Sequence, residues 1–397
     1  MTEDDSGPTG AAATSTRALV EELLNDGGGV LRLAPAFVAR DLVPPGRRLG
    51  LAEEAYDLGE RGFVCERWLG STTRADNRIG PPDEGLGHVV DRNGRPRLTL
   101  RDAVRADPAA IMGSAYAASH PQGLGRLAKL LDYGARIPYH IHPPQRFAEL
   151  VGRRSKDEAY YFPAGVDGGA HPETFFGVHP WILRERAYDV LLPYLVDWDS
   201  DLILRHSRAY LQVPDDGFGV PSGVLHGPGT ALTVELQEDS DVFAMFQARN
   251  AGRIISKELL FKDVRPADRH EHGERFPLRF VEWDLNGDPY FYENNHLAPR
   301  PVAPDGGREW WIFYNTPKFS GKKLVVPAGQ RHASRPSAAC TRSSSGRAAD
   351  ATAATRYAAA TPTGTSCSSR TTSPRPRTWW RTPAETTWWS SSSSART

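Results

Sequence analysis

Two short, widely separated boxes carry the side chains with the most chemistry. Gly134-Ala-Arg-Ile-Pro-Tyr-His140-Ile-His142 is followed downstream by Pro221-Ser-Gly223-Val-Leu-His226. On a strand, residues i and i+2 share a face, so His140 and His142 point to one side. A Pro-x-Gly turn fixes how the next strand enters, and can deliver His226 to the same interior. Three imidazoles with a downstream carboxylate form a borderline ligand set, suited to Zn and alternatively to Fe, Mn or Ni. The histidines at 88, 120, 171, 179, 206 and 296 lack such a pattern and read as ordinary core or surface residues.

Those boxes need strands to hold them, and the chain supplies candidates. Gly62-Phe-Val-Cys-Glu-Arg-Trp-Leu69 and the alternating Ala231-Leu-Thr-Val-Glu-Leu-Gln237 read as strands. Leu124 to Asp132 and Ile137 to His142 read as core-facing segments leading into the histidine pair. Thr16 to Asn25 has helical spacing, and Leu98 to Val104 starts a helix with Thr99 as its cap. Between the boxes, His179 to Leu195 is the best helical pattern in the chain. From about 273 to 326 aromatic-rich strands return, including Phe280-Val-Glu-Trp283, Trp310 to Tyr314 and Lys323-Leu-Val-Val326. His270, Glu271 and His272 lie in a polar stretch and read as solvated.

The chain has 397 residues, enough for two domains, and its 48 basic and 48 acidic side chains balance. Nothing global therefore draws it to nucleic acid or to a membrane surface. It has no apolar run near the length of a spanning helix. The polar, acidic start Met1-Thr-Glu-Asp-Asp is no signal peptide. Cys65 is the single cysteine before the tail, so no disulfide framework is expected, consistent with a cytoplasmic protein. Oligomeric state cannot be read from these features.

From Arg331 to Thr397 the composition breaks: Leu, Ile, Val, Phe, Met and Lys are all missing. A segment with no aliphatic side chain larger than Ala cannot build a core that offsets chain entropy. The sequence is read as the product of a shifted reading frame in a GC-rich gene, and is expected to be disordered. A genuine basic tail is the alternative.

In order along the chain, several segments resemble the type I mannose-6-phosphate isomerases, a family of double-cupin zinc enzymes. Glu66-Arg-Trp-Leu-Gly-Ser71 is similar to the family's Glu-x-Trp-x-x-Ser. Leu127-Ala-Lys-Leu-Leu-Asp132 with Ile137-Pro-Tyr-His-Ile-His-Pro143 resembles its stretch before the first ligands. Lys156-Asp-Glu158-Ala-Tyr-Tyr161 looks like its Lys-x-Glu-x-Trp-Tyr, and Pro221 to His226 with Val234 to Asp241 resembles its most specific motif. The match covers roughly residues 60–265, about half of the chain.

The resemblance implies a mainly β fold: a cupin double-stranded β-helix, or jelly-roll barrel, with a helical insertion near 179–195. It implies a metal cupin over 17–265 and an incomplete second cupin barrel over 266–332, while composition marks 1–16 as a disordered N-terminus and 333–397 as a low-complexity tail. The family's metal ligands fall on His140, His142, Glu158 and His226. The first is a departure, since imidazole stands where the family usually has Gln. Glu149 is the competitor for Glu158. The implied activity is metal-dependent conversion of mannose 6-phosphate, or a related sugar, to the ketose through an enediol.

Lys156 is the candidate for catalysis and substrate binding, Arg249 shares both roles, and Arg253 is a further substrate-binding candidate. Met245 stands where the family carries an Arg, which puts a phosphorylated substrate in question. A metal cupin of different chemistry, such as an Fe-dependent oxygenase, and a non-catalytic sugar-binding cupin are the alternatives.

Overall fold

Alternation decides which way each strand faces. Tyr139 and Ile141 turn into the largest apolar cluster, beside Ile182, Leu191, Leu225 and Phe280. His140 and His142, which alternate with them, must therefore face the opposite way. The computed structural model describes residues 10–121, 123–304 and 306–332, together with strands Asp350–Ala353, Tyr357–Ala359 and Thr386–Ser392.

The strand His140–Ile141 belongs to a five-stranded antiparallel sheet ordered Arg208–Leu211, Glu173–Phe176, His226–Gly227, His140–Ile141, Ala244–Met245. Across the interior lies a six-stranded sheet ordered Asp216–Val220, Glu158–Phe162, Thr233–Glu238, Arg126–Leu131, Phe63–Leu69, Ala36–Arg40. Among the described residues the two sheets do not close into one hydrogen-bonded barrel. The arrangement is the mainly β one expected, with a cavity between the walls.

Each wall is backed by apolar packing. Behind the five-stranded sheet, short helices from 180–197 and 257–286 complete the largest cluster. Behind the six-stranded sheet, Ala159, Tyr161, Val234 and Leu236 pack on Ile312, Phe313 and Phe319. These last lie in or beside a third antiparallel sheet of Arg300–Ala303, Gly306–Phe313 and Ser320–Val326. The three strands described within the tail extend that sheet, starting with Thr386–Ser392 against Ser320–Val326. The rest of the 333–397 tail, expected to be disordered, lies outside the described residues, as do residues 1–9.

Three segments differ from the sequence expectation. The pattern at 179–195 is not one helix but Pro180–Arg184, a 3-10 turn at Tyr188–Leu191, and Leu192–Asp197. Arg186 adopts a left-handed backbone there, with φ 52°, which no helix can continue. Phe280-Val-Glu-Trp283 is no strand: it joins the helix Arg275–Leu278 to the helix Trp283–Asn286, and Phe280 and Val281 are anchored in the core. The first helix begins at Gly10, inside the stretch expected to be disordered, where Ala11, Ala12 and Ala13 favour helix. The expected Thr99 cap is in place, its hydroxyl accepting from the Asp102 N–H at 3.1 Å. No helix among the described residues is long and apolar enough to cross a membrane.

Candidate metal centre and cavity

Three histidines on adjacent strands converge. His226 pairs with His140 across the sheet, and His142 follows two residues on. Their ring centroids lie 4.2 Å (His140–His226), 5.0 Å (His142–His226) and 5.1 Å (His140–His142) apart. One nitrogen from each falls within 4.8 Å of the others, and all three residues are buried. The turn before His226 depends on Gly223, which sits at φ +83° and whose N–H donates to the His142 carbonyl at 2.8 Å. A Cβ there would meet Glu282 Cγ at 2.4 Å, so glycine is required on both counts.

Backbone carbonyls fix the tautomers. The Nδ1 of His140 lies 2.7 Å from the Pro138 carbonyl, that of His142 2.6 Å from Val242, and that of His226 2.9 Å from Val224. A carbonyl only accepts, so each Nδ1 carries the proton and each neutral ring presents a bare Nε2. For His140 and His142, burial, the neighbouring imidazoles and, at His142, the Lys156 charge favour that neutral form. His140 is held well below the ordinary range, and His142 is pushed down to about 4.

Glu158 meets the trio from the facing sheet. Its Oε1 is 3.0 Å from His142 Nε2 and its Oε2 3.4 Å from His226 Nε2. The Nε2 atoms of His142 and His226 are buried without a hydrogen-bond donor. Lone pairs of nitrogen and carboxylate oxygen facing each other in a dry interior repel unless a cation lies between them. The residues present therefore fit a divalent metal held by three imidazoles and one carboxylate. Lys156 Nζ lies 2.7 Å from Oε1, and Tyr160 donates its hydroxyl to Oε2 at 2.5 Å. Burial alone would raise the Glu158 carboxyl, but Lys156 and then His142 hold it well below the usual range.

Glu149, the competing carboxylate, is exposed in a short turn and accepts from Gln145 at 2.8 Å, away from the trio. Arg249 and Arg253, the substrate-binding candidates, are not brought to the cavity. They project to solvent from the paired strands Arg249–Asn250 and Arg253–Ile254 of a tight hairpin, whose turn at Ala251-Gly252 carries positive φ at both residues. Their closeness in sequence to the Val234–Asp241 motif gave a false neighbourhood. His270 and Glu271 are exposed, on the helix Pro266–His272.

A second group on the cavity wall was not singled out from sequence. The six-stranded sheet sets Tyr160, Glu235, Lys129 and Trp68 side by side in register. Lys129 Nζ lies 3.4 Å from Glu235, 3.8 Å from Glu66 and 4.9 Å from the Trp68 ring centroid. Arg40 grips Glu66 at 2.7 and 3.3 Å, and Asp241 lies 3.7 Å from it. Burial would raise Glu66, yet Arg40 and then Lys129 hold it down at about 2. Glu235 behaves oppositely: burial and the Glu158 charge push it up to about 7 against Lys129 and Lys156. Its Oε1 makes no hydrogen bond, and its contact there is the ion pair with Lys129. A signal was available, since Lys129, Glu235 and Gln237 are polar residues at inward positions of otherwise apolar strands.

His140, His142, Glu158 and Lys156 from the first group and Arg40, Glu66, Lys129, Glu235 and Asp241 from the second line one cavity of about 500 Å³, with Phe243, Met245, Leu131 and Ile137 supplying apolar surface.

No family model matches the sequence, and no curated protein matches it. Solved structures do. The fold is similar to mannose 6-phosphate isomerase from Bacillus subtilis, at 17% identity over 76% of this chain and 81% of that one, with a TM-score of 0.50. It is also similar to a variant of phosphomannose isomerase from Salmonella typhimurium, at 12% identity over 76% and 86%, with a TM-score of 0.49. The chain thus has the mainly β fold of the cupin-type isomerases.

Proposed function

We propose that this chain is a metal-dependent aldose–ketose isomerase acting on mannose 6-phosphate or a related hexose. The observation that carries it is the convergence of three bare imidazole nitrogens and Glu158 beside a cavity lined by Lys156 and Glu235. The likeness in fold to isomerases of that activity agrees with it.

His140, His142, Glu158 and His226 would hold the metal, with Zn the first choice and Fe, Mn or Ni the alternatives. When bound, it supplies Lewis acidity to a substrate carbonyl or hydroxyl oxygen. The rest falls to the chain. Isomerisation moves one proton between C1 and C2 and one between their oxygens, with no net change in atoms. Glu235, with a carboxylate oxygen that makes no hydrogen bond and a proton affinity near neutrality, accepts the carbon-bound proton and returns it to the neighbouring carbon. Lys156, fixed against Glu158, donates hydrogen bonds to the sugar oxygens as their charge develops. The apolar wall at Phe243 and Leu131 excludes water from the enediol. Arg249 and Arg253, outside the cavity, have no part in these steps.

The test is ketose formation from mannose and from mannose 6-phosphate by protein loaded with Zn, Mn or Fe, beside a His226→Ala control. Metal-dependent ketose from either sugar, absent in the control, is the expected result. Folded, metal-loaded protein that forms no ketose retires the isomerase. Oxygen uptake by the Fe-loaded form without sugar turnover replaces it with an oxygenase.

A further inference from the structure

We propose that the cavity takes its sugar without a phosphate, as an uncharged aldose or ketose. The proposal rests on the isomerase reading above and narrows its substrate class.

Charge balance is the first ground. Among the residues lining the cavity, carboxylates outnumber cationic side chains. A bound divalent metal would bring that wall near neutrality and leave no surplus positive charge for a phosphate dianion.

The second ground is that the cations present are engaged. Arg40 is held by Glu66 at 2.7 Å, and Lys129 by Glu235 at 3.4 Å. Lys156 lies 2.7 Å from Glu158, and Lys262 lies 3.0 Å from Asp76 while donating to the Asp241 carbonyl at 2.8 Å. Arg61 pairs with Glu84 at 3.0 Å. To grip a phosphate, any of these would leave a carboxylate unpaired, most of them in a buried wall, and such a charge is costly. A sugar hydroxyl makes no such demand. It donates to a carboxylate or accepts from an ammonium while the ion pair stays intact. Glu235 offers the clearest acceptor: its buried Oε1 makes no hydrogen bond and has only the 3.4 Å ion pair with Lys129, so it can accept from a sugar hydroxyl while that pair stays intact.

The third ground is the floor beside the histidines. Met245 pairs with His140 in the sheet, is 2% exposed and faces the cavity. With Phe243 and Leu131 it offers a thioether and hydrocarbon to the C–H faces of a sugar ring, and no donor to an anion. Among the described lining residues, the cation without a recorded partner is Arg78, which is exposed.

The experiment is calorimetric titration of the zinc-loaded full chain with D-mannose, D-fructose and their 6-phosphates, with turnover measured separately on each. The free sugars are expected to bind, with the esters at least tenfold weaker. Met245→Arg, checked for native secondary structure by circular dichroism, is expected to move the preference at least tenfold toward the esters. Esters that bind as tightly as the free sugars, or better, overturn the proposal, as does binding of neither class. If Arg78→Ala then abolishes ester binding, Arg78 is the phosphate holder. Free sugar that binds without turnover leaves the substrate class standing and retires the isomerase. Turnover of the ester alone keeps the isomerase and overturns the substrate class.

Discussion

The two walls of the cavity solve the problem of buried charge in opposite ways. On the histidine side, Glu158 and the Nε2 atoms of His142 and His226 face one another with lone pairs 3.0 and 3.4 Å apart. Lys156 and Tyr160 compensate through their contacts to Glu158. On the far side, Arg40, Glu66, Lys129, Glu235 and Asp241 alternate in sign and neutralise one another. The first wall is complete only with a cation, while the second is nearly complete as it stands. Buried polar groups are satisfied wherever a fold can arrange it, so the unsatisfied wall marks the place suited to a cation.

The sharpest way to break the comparison is to remove a ligand. His226→Ala should cut zinc affinity by at least about 100-fold and abolish turnover, measured by equilibrium dialysis and ketose formation. If zinc binding survives, the first wall needs no cation and the contrast collapses. Next in size, Glu235→Gln should lower kcat by about 100- to 10,000-fold, the usual range for loss of a positioned general base, with zinc stoichiometry unchanged. An unchanged kcat would give proton transfer to another group.

On the neutralised wall, Arg40→Met leaves Glu66 buried beside a distant Lys129. It should cost about 3 kcal/mol or more in urea unfolding, and adding Glu66→Gln should recover part of that loss. Additive losses would mean that Arg40 and Glu66 are not coupled.

The two carboxylates also give stability opposite dependences on pH. Glu66 sits near 2 in the fold against an ordinary 4.5, so its contribution is present above 4.5 and fades as pH falls toward 2. Glu235 is raised to about 7, so its contribution is present below 4.5 and is lost as pH rises through 7. In metal-free protein, Glu66→Gln should flatten the acid limb of stability and Glu235→Gln the limb between 4.5 and 7. Each effect is at most about 3 kcal/mol.

What could be read in advance follows from the range of the interactions. His140-x-His142 declared itself because strand parity is local, and Pro221-x-Gly223-x-x-His226 because a turn needs particular residues at fixed offsets. Glu158 came from resemblance, and in the fold it stands opposite His142 and His226. The Arg40–Glu66–Lys129–Glu235 set draws on four strands brought together only by sheet order, so a local pattern can flag Lys129 and Glu235 as polar residues on apolar strands but not their pairing. Arg249 and Arg253 misled for the converse reason: they are near the motif in sequence, but their hairpin turns them to solvent. The helical rhythm at 179–195 gave way to the left-handed Arg186, and the apolar run at Phe280 served core packing between two short helices rather than a sheet.

The central claim is that a metal belongs among three imidazoles and one carboxylate, and X-ray absorption on the zinc-loaded chain tests it most directly. The account predicts one zinc per chain, with three nitrogen neighbours and a carboxylate oxygen at about 2.0–2.2 Å. Zinc that binds below stoichiometric amounts, or with fewer than two imidazoles around it, would contradict it.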